Sequence, residues 1–450
     1  MALAVVIVLL VAGSLIFHFA SPWYFTPLAS NWSAVDFTVG VTFWVTGIVF
    51  VAVNLFTAYC LIKYRHRKAH RAHYEPESKK LEISLTAITA VGVAAMLTPG
   101  LFVWGDFVRV PEDAMVVEAL AKQWHWSYRF PGSDGKLGRT DVRHMTVDNP
   151  FGLDPNDPAG QDDILVANPV LHLPVDRPIH LLLRSSDVLH NFAVPQFRAK
   201  MDAVPGMVTY QWFTPTRVGT YELLCEELCG IAHFAMRGRV VVDPFADFES
   251  WLAEQPTFAE TAVRPMGDPQ SGAATYAVCS ACHGAQGEGN PQLNAPKIAG
   301  QEAWYLERQI RLYQQGIRGT DPRDPYGMQM APMANTLTTE QALADVAAYI
   351  ESLPDRPAEP TVSGNAARGR TLYQTCAGCH GRDGRGIWST NAPRLAGMSD
   401  WYLKRQLEYF RDGVRGAHAD DLYGLQMAMM AASLRNERAI DDVIAYINSL

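Results

Sequence analysis

The stretch Cys225–Met236, CEELCGIAHFAM, places two thiols, an imidazole and a thioether within twelve residues. His190, in the upstream segment SSDVLHNFAVP, can supply a second imidazole. Soft sulfur and nitrogen ligands favour copper over magnesium or calcium, although two Cys with two His can also hold zinc. A thioether is a poor zinc ligand, so Met236 favours copper at this site.

The residues around this stretch have the pattern of short β-strands. Runs such as GTYELLC and GRVVVDP are rich in β-branched residues and are separated by Gly, Pro and Asp, which is typical of strands joined by turns. Such runs extend from Val110 to Val242 and predict a β-sandwich or barrel, in a domain that we bound at residues 107–246. The segment Pro131–Gly160, rich in Gly, Asp, Pro and Asn, is interpreted as a surface insertion.

Three apolar stretches open the chain, at residues 2–20, 37–62 and 81–104. A membrane-spanning helix needs about 20 apolar residues, so the second and third stretches qualify as spans. The first is either an uncleaved span or a signal peptide. It lacks the basic start and the Ala-x-Ala cleavage site that are typical of a signal peptide. We therefore predict a membrane region over residues 1–106.

The loop Lys63–Lys80 contains seven Lys or Arg against two Glu. A short loop this basic stays in the cytoplasm, so everything after about Asp106 is expected on the outer, periplasmic side of a bacterial inner membrane. The whole chain has a formal net charge of −8, which argues against nucleic acid as a partner. The acidic outer part is either an ordinary solvated surface or a docking field for a basic partner.

Two C-x-x-C-H motifs lie in the C-terminal half of the chain. In this motif two thiols bind haem vinyl groups and the histidine binds iron, so two covalently bound c-type haems are predicted. The motifs belong to an internal repeat with an offset of 97 residues, which also aligns NAPKIAG at 294–300 with NAPRLAG at 391–397. Pro-rich segments bound the copies at residues 262–355 and 359–450. The haem-binding residues are Cys279, Cys282 and His283 in the first copy and Cys376, Cys379 and His380 in the second.

The repeat also narrows the choice of the second axial iron ligand. Each copy has three candidate methionines, and only those that pair across the offset of 97 residues are retained. Met328 pairs with Leu425 and Met429 pairs with Pro332, so both are excluded. The pairs that remain are Met330 with Met427 and Met333 with Met430.

The CEELCGIAHFAM stretch resembles subunit II of the haem–copper cytochrome c oxidases, which carries the signature C-x-E-x-C-G-x-x-H-x-x-M of the binuclear copper centre CuA. The resemblance implies a cupredoxin-like fold in which Cys225 and Cys229 bridge two coppers. His190 and His233 would each bind one copper, and Met236 and the Glu227 carbonyl would be weak axial ligands. The Glu227 side chain would point to a Mg²⁺ shared with subunit I. Asp187, three residues before His190, resembles the carboxylates that orient ligating histidines.

Two further segments extend the resemblance towards the N-terminus. QWHWSYRF, residues 123–130, resembles the family's aromatic stretch, whose first Trp receives electrons near CuA; this role carries over to Trp124. LEISLTAI resembles the start of the family's last transmembrane helix, where a Glu lies at the cytoplasmic mouth of a proton pathway; this role carries over to Glu82. The family's usual Trp and Pro after that Glu are Leu85 and Thr89 here, which weakens the proton-pathway assignment.

The two C-terminal copies resemble all-α class I cytochromes c, in which three helices wrap a haem. The M-x-x-M pattern of each copy is similar to that of the dihaem cytochrome c4 group, where the first Met binds iron. This resemblance selects Met330 and Met427 as axial ligands, and it predicts that Met333 and Met430 pack in the core.

As a whole the chain resembles a caa3-like oxidase subunit II with two fused cytochrome c domains. The resemblance implies a proton-translocating cytochrome c oxidase, in which an external donor such as cytochrome c supplies electrons that pass through two haems and CuA to subunit I. Subunit I would hold haem a, haem a3 and CuB, subunit III would be a further partner, and this chain would not reduce O₂ itself. The alternative is a membrane-tethered subunit of another reductase, such as a CuA-type nitric oxide reductase; Glu227 and Glu82 favour the oxidase. The quinol oxidase form is disfavoured because that branch lacks the CuA ligands.

Overall fold

Three long apolar helices form the N-terminal part of the chain. The computed structural model describes residues 1–21, 26–66, 76–146, 149–262, 267–387 and 390–450. Each of the three helices is long and apolar enough to cross a membrane. The second and third extend beyond the predicted stretches at both ends, and residues 67–75 of the basic loop lie outside the described residues. The helices are α1 (Ala2–Ala20), α2 (Ser33–Lys63) and α3 (Lys79–Phe107).

Two five-stranded sheets follow and form the predicted β-sandwich. The strands are β1 (Met115–Lys122), β2 (His125–Phe130), β3 (Ile164–Val166), β4 (Val170–Pro174), β5 (Ile179–Ser185), β6 (His190–Val194), β7 (Ala199–Ala203), β8 (Thr209–Phe213), β9 (Gly219–Cys225) and β10 (Arg237–Asp243). The first sheet has the strand order β3-β2-β1-β5-β8 and the second has the order β4-β10-β9-β6-β7. The pairs β1–β5 and β4–β10 are parallel, and the other pairs are antiparallel.

The segment Pro131–Gly160 is more than a surface insertion. Phe151 and Leu153 are fully buried, in a cluster with Leu120 of β1 and with Phe258 beyond the sandwich. Two apolar side chains in a stretch otherwise rich in turn residues are enough to fold it onto the domain, because each removes a large apolar area from water.

The sandwich contacts the start of α2 and the end of α3. Trp212 Nε1 donates to the Asp106 carbonyl at 3.1 Å and the Tyr210 hydroxyl donates to the Val108 carbonyl at 3.1 Å, both at the end of α3. Arg198 pairs with Asp36, in the first turn of α2, at 2.6 Å. The start of α2 and the end of α3 therefore lie on the same side, next to the sandwich.

Two helical domains complete the chain, after the short helices α4 (Phe245–Ala253) and α5 (Phe258–Ala262). In each, the first and last helices cross closely: a Cβ added at Gly272 or Gly369 would lie 2.0 or 1.8 Å from a carbonyl oxygen of the last helix. Among the described residues each domain contains four α-helices, one more than predicted. They are α6 (Pro269–His283), α7 (Ala303–Gln314), α8 (Pro325–Ala334) and α9 (Glu340–Ser352), then α10 (Ala366–His380), α11 (Asp400–Arg411), α12 (Leu422–Ala431) and α13 (Glu437–Ile447).

Candidate metal and haem sites

The copper-site residues come from two paired strands and the loop that follows them. His190 begins β6 and Cys225 ends β9, and the pairing of these strands puts Phe192 opposite Cys225. The loop after Cys225 returns through a 3-10 turn at His233–Ala235 to begin β10. A contiguous loop and one residue of a neighbouring strand therefore meet at one end of the sandwich.

The structure brings all six predicted copper-site residues together. The Sγ atoms of Cys225 and Cys229 are 3.8 Å apart. Cys225 Sγ lies 3.9 Å from His190 Nδ1 and 3.3 Å from the Glu227 carbonyl oxygen. Cys229 Sγ lies 3.5 Å from His233 Nδ1 and 3.7 Å from Met236 Sδ. Each sulfur therefore has one imidazole and one weaker donor beside it, and these six residues would together hold a pair of copper ions.

The two thiols fit a site that holds cations. A hydrogen bond from Cys229 holds the pKa of Cys225 well below its ordinary value, and the same hydrogen bond, together with burial, holds the pKa of Cys229 well above its ordinary value. One sulfur is thus ionised only while the other keeps its proton. Bound metal cations would allow both sulfurs to be thiolates, and both cysteines are free of disulfides.

Asp187 contacts the ring nitrogen of His190 that faces away from the cysteines, as the resemblance implies. Its Oδ1 lies 2.8 Å from His190 Nε2, which leaves Nδ1 facing the sulfur of Cys225. Its Oδ2 accepts a hydrogen bond from the Gln123 backbone at 2.7 Å, and the Gln123 side chain donates to the Cys229 carbonyl at 2.7 Å. Gln123 thus ties Asp187 to the copper-site loop. Sequence reasoning missed this residue; its only signal was its position next to Trp124.

Trp124 lies between the copper-site loop and the second helical domain. It is 6% exposed. A Cβ added at Gly230 of the loop would lie 3.1 Å from its ring, and one added at Gly378 of the second C-x-x-C-H motif would lie 3.3 Å from its ring. Trp124 also lines the cavity that contains His380 and Met427.

Each C-x-x-C-H histidine is oriented by a backbone carbonyl. His283 Nδ1 donates to Pro296 O and His380 Nδ1 donates to Pro393 O, both at 2.8 Å. Burial lowers the pKa of both histidines, which favours neutral imidazoles whose Nε2 would be free to bind iron.

The methionines lie on helices that the sequence analysis did not predict. Met330 is on α8 and packs against an apolar cluster of the first domain, while Met427 is on α12 and lines the cavity of the second. The expectation that the second Met of each pair packs in its domain's core is wrong for Met333, which is 39% exposed. Met430 lines the cavity of its own domain beside Met427 and also packs against the core of the β-sandwich.

Two arginines cross the interface between the helical domains in a pseudo-symmetric pair. Arg318 donates to Tyr402 Oη at 2.8 Å and Gln406 Oε1 at 3.2 Å. Its repeat partner Arg415 donates to Tyr305 Oη at 3.1 Å and Gln309 Oε1 at 2.7 Å. Each arginine therefore reaches into the opposite domain.

These arginines fit the predicted haems. The Nε atoms of Arg318 and Arg415 are buried and have no hydrogen-bond partner among the described residues. Buried cations require anionic partners, and a c-type haem carries carboxylates. Arg415 also lines the cavity that contains His380.

Glu82 and Glu227 are placed by the structure as follows. Glu82 lies in the first turn of α3 and is exposed. Glu227 contributes its carbonyl to the copper site, and its side chain is half-buried. The proton-pathway and Mg²⁺ roles stay predictions.

A sandwich with a Cys₂His₂Met cluster, joined to apolar helices and to two C-x-x-C-H domains, defines a membrane-anchored copper and haem electron-transfer protein. Residues 115–243 match the family model described as cytochrome c oxidase subunit II, periplasmic domain, and residues 269–354 and 366–450 match that of cytochrome c. The chain is 54% identical over 259 residues to the alternative cytochrome c oxidase subunit 2 of Bradyrhizobium diazoefficiens, a match covering 58% of this chain and 94% of the relative. The chain belongs to the cytochrome c oxidase subunit II family.

Separate solved structures match the copper-site domain and the pair of helical domains. The periplasmic domain of subunit II of cytochrome oxidase from Bradyrhizobium japonicum is 29% identical, with a TM-score of 0.24, over 32% of this chain and 95% of that one. Reduced recombinant cytochrome c4 from Pseudomonas stutzeri is 31% identical, with a TM-score of 0.33, over 41% of this chain and 99% of that one.

Proposed function

We propose that this chain is the electron-accepting subunit of a terminal haem–copper oxidase. Electrons would pass from an external donor through the two cytochrome domains (residues 262–355 and 359–450) to the copper domain (residues 107–246), and then to subunit I. A CuA pair and two covalent c-type haems, when bound, supply the one-electron redox chemistry. The observation that carries the proposal is the position of Trp124 between the copper-site loop and the cavity of the second cytochrome domain.

The contacts between domains support a fixed order along this route. Gln426 of the second cytochrome domain donates to the Trp124 carbonyl at 2.8 Å, and Tyr423 Oη lies 3.0 Å from His125 Nδ1. Within the described ranges, every hydrogen bond from the copper domain to a cytochrome domain goes to the second one. The first cytochrome domain meets the second through the Arg318 and Arg415 network. The first domain is therefore the outer member of the route and the second is the inner member.

Exposed apolar residues support a partnership with membrane subunits. Leu228, within the copper-site loop, is 76% exposed, and Leu189, Met207 and Val208 are also exposed. Leu228 and Leu189 are next to copper-site residues in the sequence, and exposed apolar residues beside a metal site are typical of a surface that another subunit covers. We assign it to subunit I, with Glu227 reaching a shared Mg²⁺ and Glu82 at the mouth of a proton pathway. Subunit III would join the same complex.

The basic loop sets the proposed topology in a bacterial inner membrane. A cytoplasmic reporter fused at about Ala72 should be active, and a periplasmic reporter fused after Leu450 should be active. The opposite pattern would reverse the orientation and place the copper site on the wrong side for an outer donor.

The direct test is electron transfer in the purified native complex, after the catalytic subunit that accompanies this chain is identified. Flash reduction of the haems should be followed by reduction of copper. Trp124→Leu should slow the reduction of copper by at least about tenfold, because Trp124 is the ordered contact between the second cytochrome domain and the copper-site loop. Trp251→Leu is the matched control, because Trp251 lies on α4 and stacks on His172 of β4. Copper reduced at the wild-type rate in a His283→Ala/His380→Ala variant would reject the relay. A nitric oxide reductase as the companion would favour the alternative function.

A further inference from the structure

The second cytochrome domain docks on the copper domain through a defined set of residues, here called the docked face. A Cβ added at Gly378 would lie 3.2 Å from Ile231 of the copper-site loop. Gln426 donates to the Trp124 carbonyl. The side chains of Cys379, Met429 and Met430 pack against the core of the copper domain.

The first cytochrome domain carries a copy of this surface, here called the counterpart face. Subtracting 97 from the positions of the docked face gives Ala281, Cys282, Gln329, Pro332 and Met333. All five are exposed, as is the neighbouring Met328 at 49%. The same surface therefore occurs twice in the chain, covered in the inner domain and exposed in the outer one.

The counterpart face has almost no charge. Four of its five residues, and the neighbouring Met328, have side chains without a charge, and the fifth residue, Cys282, belongs to the haem motif. Charge occurs at the rim, where Asp420 of the second domain pairs with Arg239 of the copper domain at 3.4 Å. The equivalent residue of the first domain, Arg323, is paired with Asp321 at 2.7 Å. The surface on which the docked face sits is also uncharged where it meets Gly378 and Cys379, since Ile231 and Trp124 line it. An uncharged surface selects an uncharged partner, because burying an unpaired charge there would be costly.

From this duplication we infer that the counterpart face is the docking site of the external donor, a soluble one-electron carrier protein whose redox edge is apolar and uncharged. The inference rests on the proposed relay. It assigns to the outer domain the contact that the inner domain makes with the copper domain, with Cys282 at the position of Cys379. It also means that the acidic outer surface is not the main determinant of docking.

The test uses the intact complex and two soluble probes. One is a bacterial cytochrome c with an uncharged haem edge, and the other is mitochondrial cytochrome c, whose haem edge is ringed by lysines. Gln329→Glu/Pro332→Glu places two carboxylates on the counterpart face. Val142→Glu/Val218→Glu is the matched control, because both valines are highly exposed on the copper domain. The measurement is the second-order rate constant for reduction of the oxidised complex at low and high salt.

The two probes should respond in opposite directions. The carboxylates should slow the uncharged probe about tenfold, and at low salt they should speed the lysine-ringed probe, with that gain lost at high salt. The control variant should do neither. Equal rate constants for the counterpart-face variant and the wild type with both probes would overturn the inference. A change in the variant's oligomeric mass would also overturn it, because the face would then be assigned to a contact with a second copy of the complex. Flash reduction with a small flavin bypasses docking. If copper is not reduced after the flash in the wild type, the relay itself fails, whereas normal flash kinetics with unchanged docking refutes only the docking site.

Discussion

Acidification should loosen the contact between the second cytochrome domain and the copper domain, because that contact buries a neutral histidine. His125 accepts a hydrogen bond from the Tyr423 hydroxyl at 3.0 Å on Nδ1. Burial, with a smaller contribution from the nearby Arg308, lowers the pKa of His125 from 6.5 to about 3. Lys122 also faces the imidazole and opposes its protonation, and no carboxylate contributes to the shift. A protonated His125 would lose the acceptor atom that holds Tyr423.

The sign and size of the effect follow from the pKa difference. Since the pKa is lower in the docked state than the ordinary value of 6.5, the undocked state binds more protons between these two values. Docking is therefore at full strength above about pH 6.5 and weakens as the pH falls through that value towards 3. At about pH 5 the loss is about 2 kcal/mol, or roughly 30-fold in the docking equilibrium.

The assay is flash reduction of the haems followed by the rate and yield of copper reduction between about pH 7 and pH 5. The wild-type yield should fall on acidification, and His125→Asn, which cannot become charged, should flatten the pH profile. His180→Asn is the control, because His180 packs against Tyr210 near the membrane helices. If the wild type and His125→Asn have the same pH profile, the histidine does not control docking and the reasoning fails.

Three further predictions concern single residues. Met330→Ala should shift the potential of the first haem and abolish the charge-transfer band of its oxidised His/Met form in visible spectra, whereas Met328→Ala should do neither; loss of the band in Met328→Ala would refute the repeat argument. Gly378→Leu should slow copper reduction after flash reduction, because the side chain would strike Ile231 and Trp124, whereas Ala281→Leu should leave this internal step unchanged; equal effects would contradict the docking geometry. Asp187→Asn should weaken copper retention about 10- to 100-fold in chelator competition, because it loosens His190, and an unchanged affinity would exclude an orienting role.

The copper ligands could be predicted from the sequence because most of them lie in one loop. Cys225, Cys229, His233 and Met236 have fixed spacing, and the strand-like run before His190 made a second imidazole available. Gln123 could not be found in this way, since an amide that only ties a backbone carbonyl to a carboxylate has no distinctive pattern.

The helices that carry the methionines were missed for a local reason. Both helices are only ten residues long and almost uniformly apolar, so they have no amphipathic period, and α8 also contains Gly327 and Pro332, which are weak helix formers. The repeat offset still places Met330 and Met427 at equivalent positions of the two helices, because it uses position rather than propensity. The exposure of Met333 was not predictable, since it depends on which of two similar surfaces the copper domain covers.

The order of the domains was likewise beyond the sequence. The two C-x-x-C-H motifs differ mainly in their inner pair, Ser280 and Ala281 against Ala377 and Gly378. Only the structure reveals that the copper-site loop approaches Gly378 so closely that a side chain there would crowd Ile231. Close approach between domains depends on the shape of both surfaces, which no single motif encodes.

The segment that joins the two cytochrome domains is fastened to both of them. Asp355 pairs with Lys297 of the first domain at 2.8 Å and with Arg394 of the second at 2.6 Å, and Ala358 N donates to the Gly397 carbonyl at 3.1 Å. A connection held in this way cannot act as a swinging tether. Electron exchange between the two domains then needs no diffusional search. Added glycerol or sucrose should therefore slow the arrival of a soluble carrier in proportion to solvent viscosity, whereas the rates of the internal electron-transfer steps should not depend on viscosity.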